Sequence, residues 1–294
     1  KELDLYEATA YLPINLHASN QNLIVAVHNS LVPAKIIGFN AEDSRGAASS
    51  RWPLKKILKN GYGIATFYYG DLDPDYDDGF QNGIHPLFYK KNQNYPKPNE
   101  WGAISAWASG LSYCLDYFIQ DKDIDSKRVA VFGLSRLGKA ALWASALDER
   151  FALAISGNSG HGGASLWRRK IGESLYSMNI RIPHWLCQNS QQFNHQEEKL
   201  PFDQHTLLSL IAPRPLLIAS AATDHLADPI GEFYGAKHAS KIYDFLKVEG
   251  LGASKMPELG EFINTRIGYF IRTGKHDITE VDWDKFILFA NKYL

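Results

Sequence analysis

The sequence is poor in the features that mark disulfide scaffolds, membrane spans and nucleic-acid binders. Its 294 residues include two cysteines, Cys114 and Cys187. At most one disulfide is possible, which excludes a cysteine-stapled small fold. Neither cysteine lies in a Cys/His cluster with zinc-ligand spacing, and no metal site is expected. No run of about 18 apolar residues occurs, so no segment reads as a membrane-spanning helix. Lysines and arginines total 31 against 32 acidic residues, a formal net charge of −1. No basic field therefore points to nucleic acid or to an anionic membrane. Internal repeats and low-complexity tracts are absent. The chain opens Lys1-Glu2-Leu3-Asp4 without the apolar core of a signal peptide, as expected of a mature or trimmed chain. So few cysteines leave the compartment open.

What remains is an ordinary globular composition, 45% apolar and 21% charged, long enough for one sizeable core. Aromatic residues make up 13%, which suits sugar-ring platforms and core packing alike. Leu23 to His28 and Ala34 to Asn40 read as early strands. Trp52 to Asn60 reads as a helix and Gly63 to Tyr69 as a strand. A long polar loop, Gly70 to Glu100, follows, and loops of that length are usually functional. Its Asp71, Asp73, Asp75, Asp77 and Asp78 lack EF-hand spacing, so a solvated surface is expected rather than a calcium site. Trp101 opens a helix to about Gln120 that carries Cys114 as a small apolar side chain. Phe151 to Ser156, Arg214 to Ser220 and Ile267 to Ile271 read as strands. Ile230 to His238 and Asp282 to Leu294 read as helices. This alternation predicts an α/β fold with a mainly parallel, doubly wound sheet flanked by helices, a three-layer sandwich.

The run from Val129 to Ala144 carries the most chemistry. A buried-strand pattern, Val129 to Phe132, meets Gly133, and a helical pattern follows from Lys139. Ser135 sits at the turn between them. A strand, a sharp turn and a helix with serine at the apex form the nucleophile elbow of α/β-hydrolases. The turn exposes the hydroxyl and aims the helix N-terminus at a developing oxyanion. The usual G-x-S-x-G is broken, because Leu137 holds the last position and Gly138 comes one residue late. Gly133 to Lys139 also spells G-x-x-x-x-G-K, but Ala140 replaces the hydroxyl that a P-loop needs for magnesium. Ordinary strand-to-helix turns are common in α/β proteins, so the elbow needs partners.

A serine nucleophile requires a general base and a carboxylate that orients it, in the chain order Ser, Asp or Glu, His. Asp224 follows the strand Arg214 to Ser220. His276 follows the last strand, in Arg272-Thr273-Gly274-Lys275-His276-Asp277. Asp228 is a rival acid, although Asp228-Pro229 reads more naturally as the N-cap of the next helix. Asp277 is a rival partner for His276, yet adjacent side chains seldom point the same way. Ser135, Asp224 and His276 are therefore the expected triad. No cofactor is called for.

Gly133-Leu134-Ser135-Arg136-Leu137-Gly138-Lys139 resembles the G-C-S-R-x-G-K signature of carbohydrate esterase family 15, the glucuronoyl esterases. The late glycine belongs to that signature. Trp101-Gly102-Ala103-Ile104, Leu200 to His205, Ile211 to Pro215, Ala227-Asp228-Pro229 and Gly274 to Asp277 agree in order, so the resemblance covers nearly the whole chain. It implies one α/β-hydrolase catalytic domain over residues 1–294, without an N-terminal segment that longer members carry. It implies cleavage of the ester between 4-O-methyl-glucuronic acid on xylan and a lignin alcohol. Ser135 would be the nucleophile, His276 the base, and Arg136 an oxyanion-hole group. Lys139 and Glu173 would bind uronate hydroxyls. A carbohydrate ester is the expected partner, the protein is expected to be a monomer, and its substrate implies a secreted or periplasmic location.

Three positions depart from the family. Many members carry a catalytic Glu where this chain has Asn158, which throws the acid role onto Asp224. Leu226 replaces a sugar-stacking Trp, so stacking is reduced or falls to Trp167. Leu134 replaces the signature cysteine. The Leu226 change motivates one alternative, an acetylxylan esterase on the same scaffold; a catalytically silent carbohydrate-binding homologue that keeps Lys139 and Glu173 is another.

Overall fold

The computed structural model describes residues 21–28 and 49–294. The expected strand Ala34 to Asn40 lies outside them. The strands are β1 (Gln21–His28), β2 (Tyr62–Tyr68), β3 (Ile124–Leu134), β4 (Leu153–Gly157), β5 (Leu216–Ala221), β6 (Phe262–Ile263) and β7 (Ile267–Arg272). Among the described residues they form one sheet in the order β2-β1-β3-β4-β5-β7-β6. All neighbours pair parallel except the short edge strand β6, which runs antiparallel to β7. The strand order reverses between β1 and β3. In an open α/β sheet that crevice, at the carboxyl ends of the strands, is where ligands bind.

Both faces of the sheet are covered, and the strands read accordingly as unbroken apolar runs. Successive side chains point to opposite faces. Val129 and Val131 pack with the helices α2 (Ala103–Phe118), α3 (Arg136–Leu147) and α6 (Pro229–Phe245). Ala130 and Phe132 pack on the other face, against Ile57 of α1 (Leu54–Lys59) and Trp283, Phe286 and Phe289 of α7 (Glu280–Tyr293). Two short helices, α4 (Leu175–Arg181) and α5 (Gln204–Ser209), sit in the connection between β4 and β5. α6 runs a further turn and more beyond the expected His238, since no Gly or Pro interrupts it before Phe245.

α7 begins with a reciprocal capping box. Thr279 and Asp282 each bond the other's backbone N–H. Asp282 also accepts from Arg272 Nε at 2.7 Å, which ties the helix to the end of β7. Both cysteines are free and half-buried. Burial pushes the Cys114 thiol up to about 11, so it is unreactive near neutrality.

Candidate active site

β3 delivers Ser135 through a strained turn. Ser135 has φ 59° and ψ −126°, a conformation that L-residues seldom adopt. Its N–H donates to Gly157 O at 2.8 Å, which anchors the turn to the end of β4. The tightness explains the glycines. A Cβ on Gly133 would lie 1.9 Å from Leu137 O, and one on Gly138 would lie 2.9 Å from Ser159 Cβ. The late glycine thus lets α3 approach the loop after β4. Leu134, at the signature-cysteine position, is buried in the core layer with Ile278.

The loops after β5 and β7 meet at the same edge. His276 Nδ1 lies 2.5 Å from Asp224 Oδ2. Asp224 is buried and His276 half-exposed. The other carboxylates are engaged elsewhere. Asp228 takes the N-cap position of α6, as expected, though its side chain makes no capping hydrogen bond. Its oxygens accept from Arg169 Nε at 2.7 Å and Nη2 at 3.2 Å. Asp277 accepts from Arg51 Nε at 2.6 Å. Asn158 donates its amide to Asp277 O at 3.1 Å and so braces the histidine loop.

Arg136 follows Ser135 and caps a network that the sequence did not reveal. Its Nη1 donates to Asp75 Oδ2. Asp75 also accepts from Tyr69 OH (3.0 Å), His184 Nε2 (3.1 Å) and Trp185 Nε1 (2.7 Å). Burial works to raise the Asp75 carboxyl, but the His184 hydrogen bond and the Arg136 charge hold it well below the usual carboxylate range. The guanidinium lies 4.9 Å over the Trp185 ring. Arg136 Nε is buried without a hydrogen-bond partner among the described residues. Asp71 and Asp77 are exposed, as expected of a solvated loop, but Asp73, Asp75 and Asp78 are drawn into hydrogen-bond networks. Asp73 is likewise buried and bonds His85 Nδ1 at 3.1 Å, while Asp78 accepts backbone N–H groups of Phe80 and Asn82. Among the described residues no group of three or more His, Cys, Asp or Glu is placed to hold a metal ion.

Lys139, one turn into α3, is only 3% exposed. Its ammonium donates to Ser159 O at 2.6 Å and lies 3.9 Å from Glu173 Oε2. Burial pulls it down to about 8, against the raising effect of Glu173. Glu173 Oε1 accepts from Arg181 Nη2 at 2.7 Å. The backbone N–H of Glu173 donates to Leu226 O at 3.2 Å, which brings Leu226 beside this pair. Leu226 is 61% exposed. Trp167 is a correction. It is 5% exposed, with its indole N–H donating to Gln204 Oε1 at 3.0 Å, so it offers little open face to a sugar.

A serine at a strained turn after β3, an aspartate after β5 paired with a histidine after the last strand, on a mainly parallel sheet between helices, define an α/β-hydrolase fold. Residues 53–247 match the family model described as glucuronyl esterase, fungi. The chain belongs to the glucuronoyl esterase family. It is 51% identical over 253 residues to carbohydrate esterase MZ0003 from an unknown prokaryotic organism, covering 86% of this chain and 58% of that one. It is 32% identical over 180 residues to 4-O-methyl-glucuronoyl methylesterase 1 of Phanerochaete chrysosporium, covering 56% and 38%. The fold superposes on the glucuronoyl esterase from Solibacter usitatus with a TM-score of 0.88 at 43% identity, covering 93% of this chain and 74% of that one. The chain thus spans little more than half the length of the first of these curated relatives, and less of the second. Among the described residues no helix is long and apolar enough to cross a membrane.

Proposed function

We propose that this chain is a serine carboxylesterase acting on a glucuronoyl ester, with Ser135, His276 and Asp224 as its triad. The observation that carries the reading is the 2.5 Å contact of His276 Nδ1 with Asp224, at the strand-end edge where the Ser135 elbow opens. Asp224 holds the imidazole with Nε2 free for the serine. Ser135 Oγ attacks the ester carbonyl while His276 Nε2 takes its proton. The tetrahedral oxyanion faces the N-terminus of α3 and the Arg136 guanidinium. His276 then gives the proton to the leaving alcohol oxygen as the C–O bond breaks. Water, deprotonated by His276, attacks the uronoyl-enzyme and releases the uronic acid and Ser135.

Lys139 and Glu173 form the subsite for uronate hydroxyls, an ammonium donor beside a carboxylate acceptor. The substrate is the 4-O-methyl-glucuronoyl ester joining xylan to a lignin alcohol. Such a polymer lies outside the cytoplasm, so the protein acts secreted or in the periplasm, as a monomer and without a cofactor. A second reading, an acetyl esterase on the same scaffold, is favoured by exposed Leu226 at the position of the sugar-stacking Trp. Rates on benzyl glucuronate and on 4-nitrophenyl acetate separate the two. Higher kcat/KM on the uronate supports the first reading, and turnover of acetate alone supports the second.

A further inference from the structure

Glu232, on the first turn of α6, is fully buried and has no part in the mechanism above. Its Oε1 accepts from the Gly160 N–H at 2.9 Å and from Ser159 Oγ at 3.4 Å. Its Oε2 accepts from Ser220 Oγ at 2.6 Å. The first two donors belong to the loop whose Ser159 carbonyl holds the Lys139 ammonium. The third lies on β5, shortly before Asp224. One carboxylate thus locks the loop after β4 to the strand that carries the acid, from behind the cleft. An isolated buried carboxylate is costly, and an apolar residue would fill the same space more cheaply.

The structure assigns Glu232 a positioning role: through the Ser159–Gly160 peptide it holds Lys139 at the place where uronate hydroxyls bind. The inference rests on the uronate reading and adds a residue to it. Burial pushes the Glu232 carboxyl up to about 7, against the hydrogen bonds from Ser220 and Gly160 that lower it. Asp224 also raises it, and Lys139 lowers it. The charges acting on Lys139 in turn are Glu173, Glu232, Arg136 and Asp224. Above neutrality Glu232 is anionic, and it helps Lys139 keep its proton as the pH rises.

The test is Glu232→Gln, assayed on benzyl glucuronate and 4-nitrophenyl acetate. The expected result is a rise in uronate KM of about tenfold with little change in kcat, the size of one charge-assisted hydrogen bond. Acetate hydrolysis, which makes no use of Lys139, stays near wild type. The alkaline rise of uronate KM moves to lower pH, because the anion that supports the Lys139 proton is gone. Equal slowing of both esters, or an unmoved uronate KM, overturns the assignment. If Glu232→Gln does not fold, Ser220→Ala removes one donor and gives the same split at smaller size. An unchanged uronate KM in that variant overturns the assignment as well. A wild type with no uronate turnover contradicts the uronate reading and this inference with it. A wild type with turnover and an unmoved split contradicts this inference alone.

Discussion

Asn158 donates its side-chain amide to the main-chain carbonyl of Asp277, 3.1 Å away, one residue beyond His276. Asn158 thus supports the loop that carries His276. Arg272 holds the same loop from the end of β7, donating to Lys275 O at 3.0 Å. Asn158→Ala should lower kcat by several-fold, with the melting temperature down by a few degrees, as expected for about 1 kcal/mol from one buried hydrogen bond. Steady-state kinetics and a thermal melt check this together.

Asp224 and Asp228 are close in sequence and have different partners, His276 and Arg169. Asp224→Asn should lower kcat by roughly a thousandfold or more with KM little changed, since the imidazole loses its orienting charge. Asp228→Asn should leave kcat within a few-fold and lower the melting temperature, because Arg169 loses its buried partner. The reverse pattern would give the acid role to Asp228.

Asp75 fixes Arg136. Asp75→Asn keeps the shape and removes the charge, so kcat on every ester should fall by roughly ten- to a hundredfold, the scale of an impaired oxyanion contact. The folded carboxyl is depressed below its ordinary value. Its stabilising effect is therefore present above the unfolded carboxylate range and is lost as pH falls through the folded value. Acid melts of the wild type and the variant should converge at low pH.

If Lys139 binds the uronate as proposed, its protonation sets an alkaline limit on sugar binding. With its ammonium pulled down to about 8 by burial, the charged form prevails below that pH and is lost above it. Uronate KM should rise as pH increases through about 8, while acetate KM stays flat. Lys139→Met, which keeps the stem and removes the ammonium, should raise uronate KM and abolish that rise. KM measured across the range in one buffer series decides it.

Leu226 stands open beside Glu173. Leu226→Trp should lower uronate KM by about three- to tenfold, matching an aromatic contact of about 0.5–1.5 kcal/mol. Acetate KM should not follow. The pair of KM values is the measurement.

The sheet was legible because parallel strands buried on both faces are written as unbroken apolar runs, as in Val129 to Phe132. The elbow was legible because serine, two glycines and a helix start are local. Asp224 and His276 followed from the chain order that the fold imposes on a triad. The Asp75 network was not legible. Its donors Arg136, His184 and Trp185 lie 61, 109 and 110 residues away, and composition marks such a loop only as polar. Trp167 failed as a platform for the same reason, since the residue that bonds its indole N–H, Gln204, lies 37 positions on. Lys139 looks like a helix-surface lysine in sequence. Its burial is set by the loop after β4 closing over α3, which no periodicity records.

Release of benzyl alcohol from benzyl glucuronate by wild type, Ser135→Ala and His276→Ala tests the account most directly. The account predicts turnover by the wild type and rates near the uncatalysed background in both variants, each folded as judged by its melting transition. A Ser135→Ala variant that keeps the wild-type rate would contradict it.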